Sequence, residues 1–155
     1  MNAALQDKLI NVIRRGDIRE VEALLNSGVE VNGVGSSGST PLTQAAETGN
    51  LVIARLLLDR GANVNYPNRR GSTALHIAVD ASIDGTIQDG GKQGDEETQM
   101  IELLLEYDAS TTVPNHYDKT PLDIAVNYRS QKVVSLLKSW QDRKSHQGTA
   151  QKPST

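Results

Sequence analysis

The chain has 155 residues, of which 37% are hydrophobic and 23% charged, a size and composition typical of one folded domain and unlike those of a disordered segment. Its formal net charge of -3 argues against a general nucleic-acid binder, because that function needs a concentrated basic face. The chain has no Cys, and it has no apolar run of the kind that spans a membrane or directs secretion, so we expect a cytoplasmic protein without disulfides.

The first predicted elements are two helices near the N terminus. Apolar residues recur at helical spacing over residues 5–13 and alternate there with polar ones. A second apolar run surrounds Leu24, and Gly28 is placed to end it by adopting a left-handed backbone. The pair has a polar outer face, as expected for the terminal unit of a repeat protein.

A tripeptide that begins with Thr marks the start of three further helices. It occurs at residues 40–42, 73–75 and 120–122. In each copy Thr can cap the helix while Pro or Ala occupies the first turn. The copies stand 33 and 47 residues apart, and these intervals differ by 47 - 33 = 14 residues. The sequence therefore predicts a 33-residue repeat with one insertion.

A series of leucines has the same period and predicts the second helix of each repeat. Leu24 is followed by Leu57, Leu104 and Leu137 at intervals of 33, 47 and 33 residues. The runs around them predict helices at residues 51–58, 100–105 and 133–137. Gly28 and Gly61 are the stop signals of the first two repeats, whereas the third has Asp108. Because Asp adopts a left-handed backbone less readily than Gly, we expect that helix end to be looser or capped differently.

This 33-residue period, with Thr-Pro-Leu at residues 40–42 and Thr-Ala-Leu-His-Ile-Ala at 73–78, resembles the ankyrin repeat, whose signature is Thr-Pro-Leu-His-x-Ala. The resemblance covers about residues 7–140 and implies an all-α solenoid of four stacked helix-turn-helix repeats with turn or β-hairpin tips. We expect an ankyrin-repeat domain over residues 1–143. Its repeats lie at about 5–34, 35–67, 68–114 and 115–143, with an insertion at about 81–97 inside repeat three, and a disordered tail occupies 144–155.

The insertion is rich in Gly and acidic residues, which predicts a mobile, solvated acidic loop between the helices of repeat three. Ile83 and Ile87 are available to dock on a partner, although extra loop length costs little free energy and a neutral insertion is the alternative. Residues 85–93 miss two positions of a phosphate-binding loop, at Thr86 and Gln93, and the acidic spacing does not match a calcium loop. We therefore expect no cofactor and no metal.

The histidines do not indicate catalysis. His76 and Asp80 are one helical turn apart, but a metal site needs further ligands, and the resemblance implies that His76 forms hydrogen bonds between adjacent loops. His116 and His146 fall in a predicted turn and in the predicted tail. A hydrolase that uses His76, Asp80 and the acidic loop is the alternative of another class. It lacks a nucleophile beside a base, so we do not expect an enzyme.

The resemblance also implies a binding surface, since ankyrin stacks present a concave face built from the turn tips and the exposed side of the first helices. Tyr and Arg are enriched at interfaces, which favours a hot spot in the C-terminal half; ordinary solvated turns are the alternative. The predicted partner-binding residues are Arg14, Arg15, Glu47, Thr48, Tyr66, Asn68, Arg69, Arg70, Asp80, His116, Tyr117, Lys119, Asn127 and Tyr128.

These residues favour a monomeric adaptor or inhibitor that binds another protein and neither nucleic acid nor a membrane. A bacterial immunity protein that neutralises a cognate toxin is one alternative. A repeat that serves only structure or oligomerisation is another.

Overall fold

The computed structural model describes residues 3–88 and 97–147, without the side chains of residues 85–88. The described residues form eight α-helices joined by turns. These are α1 (Ala3–Arg15), α2 (Ile18–Asn26), α3 (Pro41–Thr48), α4 (Leu51–Asp59), α5 (Ala74–Gln88), α6 (Gln99–Glu106), α7 (Pro121–Asn127) and α8 (Gln131–Gln147).

The helices pack in two layers. In the inner layer α1, α3, α5 and α7 contact one another in chain order, and each outer helix packs against the inner helix that precedes it. An aliphatic core fills the space between the layers, with Leu9, Ile53, Leu75, Leu104 and Leu137 fully buried. The all-α solenoid of four helix pairs is therefore confirmed. Within the described part of the chain, no helix is long and apolar enough to cross a bilayer.

The predicted helix starts are confirmed. The Thr40 hydroxyl accepts a hydrogen bond from the Thr43 amide at 3.1 Å, and the Thr43 hydroxyl accepts one from the Thr40 amide at 2.8 Å. Thr120 and Asp123 form the same reciprocal box at the start of α7. These bonds satisfy amides at the helix start that have no partner inside the helix.

The expectation of a looser or differently capped helix end at Asp108 is wrong, because this end has the same backbone hydrogen bonds as the ends at Gly28 and Gly61. Asp108 adopts a left-handed backbone with φ of 68°, as Gly28 and Gly61 do with 94° and 87°. Its carboxylate pairs with the Lys144 ammonium at 2.5 Å. Lys144 belongs to α8, so the prediction of a disordered tail is wrong for residues 144–147. The Lys144–Asp108 ion pair joins this last turn to repeat three, and residues 148–155 lie outside the described residues.

The predicted loop of the insertion is wrong for residues 81–88, which continue helix α5. The physical reason is packing, since Ile83 is only 3% exposed and belongs to the hydrophobic core. Ile83 is therefore not available to dock on a partner. The rest of the acidic and Gly-rich segment, residues 89–96, and the side chain of Ile87 lie outside the described residues.

Successive tips are joined through their backbones. The tips of repeats two, three and four are residues 35–39, 68–72 and 115–119, and the Asn68 amide donates to the Ser72 carbonyl at 2.8 Å to close the second of them. The Arg69 amide donates to the Gly38 carbonyl at 2.9 Å, and the His116 amide donates to the Arg70 carbonyl at 3.0 Å. No strand occurs among the described residues, so the tips described are turns and not β-hairpins.

Candidate functional site

A groove of about 660 Å³ runs between the tips and the inner helices, and we call it the groove hereafter. All four repeats contribute to it. Seven of the residues predicted to bind a partner line it together. They are Arg14, Glu47, Asn68, Arg69, Arg70, Asp80 and Tyr117.

Repeats one and two form the first half of the groove, where the lining residues Arg14 and Glu47 both hydrogen-bond to the buried Gln44. Gln44 of α3 is 1% exposed, and its amide oxygen accepts a hydrogen bond from the Arg14 guanidinium at 3.1 Å. The Gln44 amide nitrogen donates to the Glu47 carboxylate at 3.0 Å. These side chains already form hydrogen bonds with one another. A partner that displaced them would break those bonds as well as form new ones.

The second half of the groove has an apolar floor. Repeats three and four form this half, and Ile77 of α5 and Ile124 of α7 are half-buried and line it. Asn11 and Gln44 occupy the same repeat position in repeats one and two. Tyr117 also lines the groove and is 65% exposed. Sequence reasoning missed the two isoleucines, although counting one turn back from Asp80 and Asn127 would have reached them.

The second half also contains the carboxylate of Asp80. The Tyr128 hydroxyl hydrogen-bonds to Asp80, and this bond together with the Asp80 charge raises the pKa of Tyr128 above its ordinary value. Tyr128 does not line the groove itself.

Two adjacent arginines in the tip of repeat three differ in the interactions of their side chains. The Arg69 guanidinium donates to the Ser36 carbonyl at 3.0 Å and to the Gly35 carbonyl at 3.5 Å. The Arg70 side chain is exposed, and no carboxylate in residues 3–88 or 97–147 forms an ion pair with it. Arg69 therefore serves the contact between tips, whereas Arg70 is available to a ligand.

His76 connects repeat three to repeat four, as expected from the resemblance. Its Nδ1 accepts from the Thr73 amide at 3.1 Å, which places the proton of the neutral ring on Nε2, and Nε2 donates to the Lys119 carbonyl at 2.9 Å. The ring is 1% exposed, and this burial lowers the pKa of His76. Among the described residues no three His, Asp or Glu side chains are grouped to hold a metal ion.

The other predicted residues lie outside the groove. Arg15 pairs with Glu20 at 3.1 Å, and the Thr48 hydroxyl donates to carbonyls of its own helix. His116 packs against Gly71 of the preceding tip. Tyr66, Lys119, Asn127 and Tyr128 complete the set that does not line the groove.

The architecture is that of a helical repeat protein, and comparison with known proteins gives its family. Residues 9–88 match the family model of ankyrin repeats in three copies. The chain is 35% identical over 122 residues to Ankyrin repeat, SAM and basic leucine zipper domain-containing protein 1 of Carollia perspicillata, which covers 77% of this chain and 23% of that protein. It is 31% identical over 122 residues to the ankyrin repeat protein YahD of Escherichia coli, which covers 78% of this chain and 56% of YahD.

The chain belongs to the ankyrin-repeat family. It spans less than two thirds of the length of these two relatives. Ankyrin repeats are generally modules for protein-protein interaction.

Proposed function

We propose that this chain is a non-catalytic binding protein that holds a segment of another protein in the groove, as a monomeric adaptor or inhibitor in the cytoplasm. The observation that carries the proposal is that seven side chains from the four repeats line one open groove. The absence of Cys from the sequence fits a reducing compartment.

The chemistry of the groove suits binding better than catalysis. It combines an exposed Tyr, an available Arg and an apolar floor, which are features that contribute most to interface energies. His76 has both ring nitrogens occupied by the Thr73 amide and the Lys119 carbonyl, so it is not available as a general base.

Affinity capture from a lysate of the source organism tests this function. The bait is the full chain, and the groove variant carries Arg70→Ala and Tyr117→Ala. The matched control carries Val52→Ala and Arg55→Ala, two exposed positions on the outer helix α4. We expect the wild type and the control to capture the same protein and the groove variant to capture at least tenfold less. Equal capture by all three baits would remove the groove from the function.

A further inference from the structure

We propose that the second half of the groove selects a partner segment with a particular order of side chains. An acidic side chain faces Arg70, an aliphatic or aromatic side chain packs on Ile77 and Ile124, and a basic side chain faces Asp80. The inference rests on the proposed function, because it names the chemistry of the partner that the groove holds.

The apolar side chain of the partner is assigned to the second half of the groove because its floor is apolar. Ile77 and Ile124 are half-buried, so each keeps apolar surface that a partner side chain can remove from water. At the equivalent place on α3, Gln44 has both ends of its amide hydrogen-bonded. An apolar side chain placed there would disrupt satisfied polar groups and gain little.

The acidic side chain is assigned to the tip side of the groove. Arg70 lies in the tip of repeat three and lines the groove, and its carbonyl accepts a hydrogen bond from the His116 amide of the next tip. Its guanidinium has no ion-pair partner among the described residues, and a planar guanidinium binds a carboxylate through two parallel hydrogen bonds. The neighbouring Arg69 cannot take this role without releasing the carbonyls of Gly35 and Ser36.

The basic side chain is assigned to the helix side of the groove. Asp80 lies on α5 and lines the groove, and its carboxylate accepts a hydrogen bond from the Tyr128 hydroxyl. One hydrogen bond leaves further acceptor sites on a carboxylate, which a basic side chain of the partner can use. An acidic partner side chain would be repelled at this wall. The two walls therefore carry opposite charge on either side of an apolar floor, which fixes the order of side chains in the partner.

A random library of twelve-residue peptides displayed on phage tests the inference. The library is selected in parallel on the immobilised full chain and on its Arg70→Glu variant. We expect the wild-type chain to enrich peptides in which one apolar residue separates an acidic from a basic one. On the variant we expect a basic residue at the position where wild-type peptides carry the acid, because the charge of that wall is reversed.

Synthetic versions of the enriched peptides give affinities for matched variants. We expect Ile77→Gln, which introduces the side chain of Gln44, to weaken binding at least tenfold, with folding checked by thermal unfolding. The control Val52→Ala with Arg55→Ala should bind unchanged. Groove-dependent peptides without the charge order, or an unchanged preference on the Arg70→Glu chain, would overturn the inference and leave the proposed function standing. Failure to enrich any groove-dependent peptide would also overturn it, whereas the proposed function is judged by the capture experiment.

Discussion

The junction of repeats two and three and the junction of repeats three and four share a backbone hydrogen bond between tips but differ in the side chains that reinforce it. At the first junction the Arg69 guanidinium reaches back to the Ser36 carbonyl at 3.0 Å, in an exposed position. At the second, the buried His76 ring reaches forward to the Lys119 carbonyl at 2.9 Å.

The difference arises at one repeat position. Thr43 and His76 both complete a box with the Thr that precedes the helix, at residues 40 and 73. The Thr side chain ends at the box, whereas the imidazole has a second nitrogen that reaches the next repeat. A buried hydrogen bond between uncharged groups contributes more reliably than an exposed one to a backbone carbonyl, because water does not compete for it. We therefore expect His76 to stabilise the docking of repeat four, which forms part of the second half of the groove.

The largest effect that tests this comparison is expected from His76. His76→Ala removes the box and the inter-repeat bond and leaves a cavity, so we expect the free energy of unfolding to fall by about 3 kcal/mol. His76→Thr keeps the box in the form found at Thr43, and we expect it to lose about 2 kcal/mol. Urea unfolding measures both.

The matched variant at the first junction is Thr43→Ala, which removes only a local cap and should cost about 1 kcal/mol. If His76→Thr were as stable as the wild type, the bond to Lys119 would contribute nothing and the two junctions would be equivalent in energy.

The next effect concerns Gly38 and Gly71, the glycines with positive φ in the tips of repeats two and three. A methyl group at Gly71 would lie 2.5 Å from the His116 ring and 3.0 Å from the His116 backbone nitrogen, while one at Gly38 would lie 3.0 Å from the Arg69 Cβ. Both glycines have positive φ, so Ala at either position is also strained. We expect a loss of about 2 kcal/mol for Gly71→Ala and a smaller loss for Gly38→Ala, measured by urea unfolding.

Gly61→Ala separates strain from crowding. Gly61 has φ of 87°, and no atom lies within 4 Å of a methyl group built there. Its variant should therefore lose only the cost of the left-handed backbone, about 1 kcal/mol. Equal losses at the three glycines would mean that the two junctions do not differ in how closely their tips pack.

Much of this architecture could be predicted from the sequence because it depends on local chemistry. The Thr boxes start helices, Gly28 and Gly61 end them, and the period places both in register. The failures come from contacts distant in sequence. Residues 144–147 stay helical beside an Asp108 that lies 36 residues away from Lys144, and the burial of Ile83 is decided by packing and not by the composition of its neighbours.

The candidate site was only partly predictable for a related reason. Counting within the repeat found Arg70, Asp80 and Tyr117, which line the groove. It did not distinguish Arg70 from Arg69, because the bond from Arg69 to Ser36 depends on how two tips meet. Composition alone gives no signal for that difference.

The smallest effect is expected from pH, and it again distinguishes the two junctions. Burial lowers the pKa of His76 below its ordinary 6.5, because the charged ring would lose its hydration. The unfolded chain therefore binds a proton at a higher pH than the folded chain does. The stability from the neutral ring is fully present above the ordinary pKa and is lost as the pH falls from there through the lower pKa of the folded state. Protonation would also place a proton on Nδ1 against the Thr73 amide, which is itself a donor.

Urea unfolding between pH 7.5 and 5 measures this dependence, and we expect stability to fall with pH in the wild type and to fall less in His76→Thr. His116 and His146 remain in both chains, so the difference between the two profiles isolates His76. Hydrogen bonds from Ser36 and Thr120 lower the pKa values of Asp7 and Asp123 below 3.8, so the stability linked to these carboxylates is lost only at more acid pH, outside the measured range. Parallel profiles for the two chains would show that His76 does not make the second junction sensitive to acid. The two junctions would then not differ in the pH dependence of their stability.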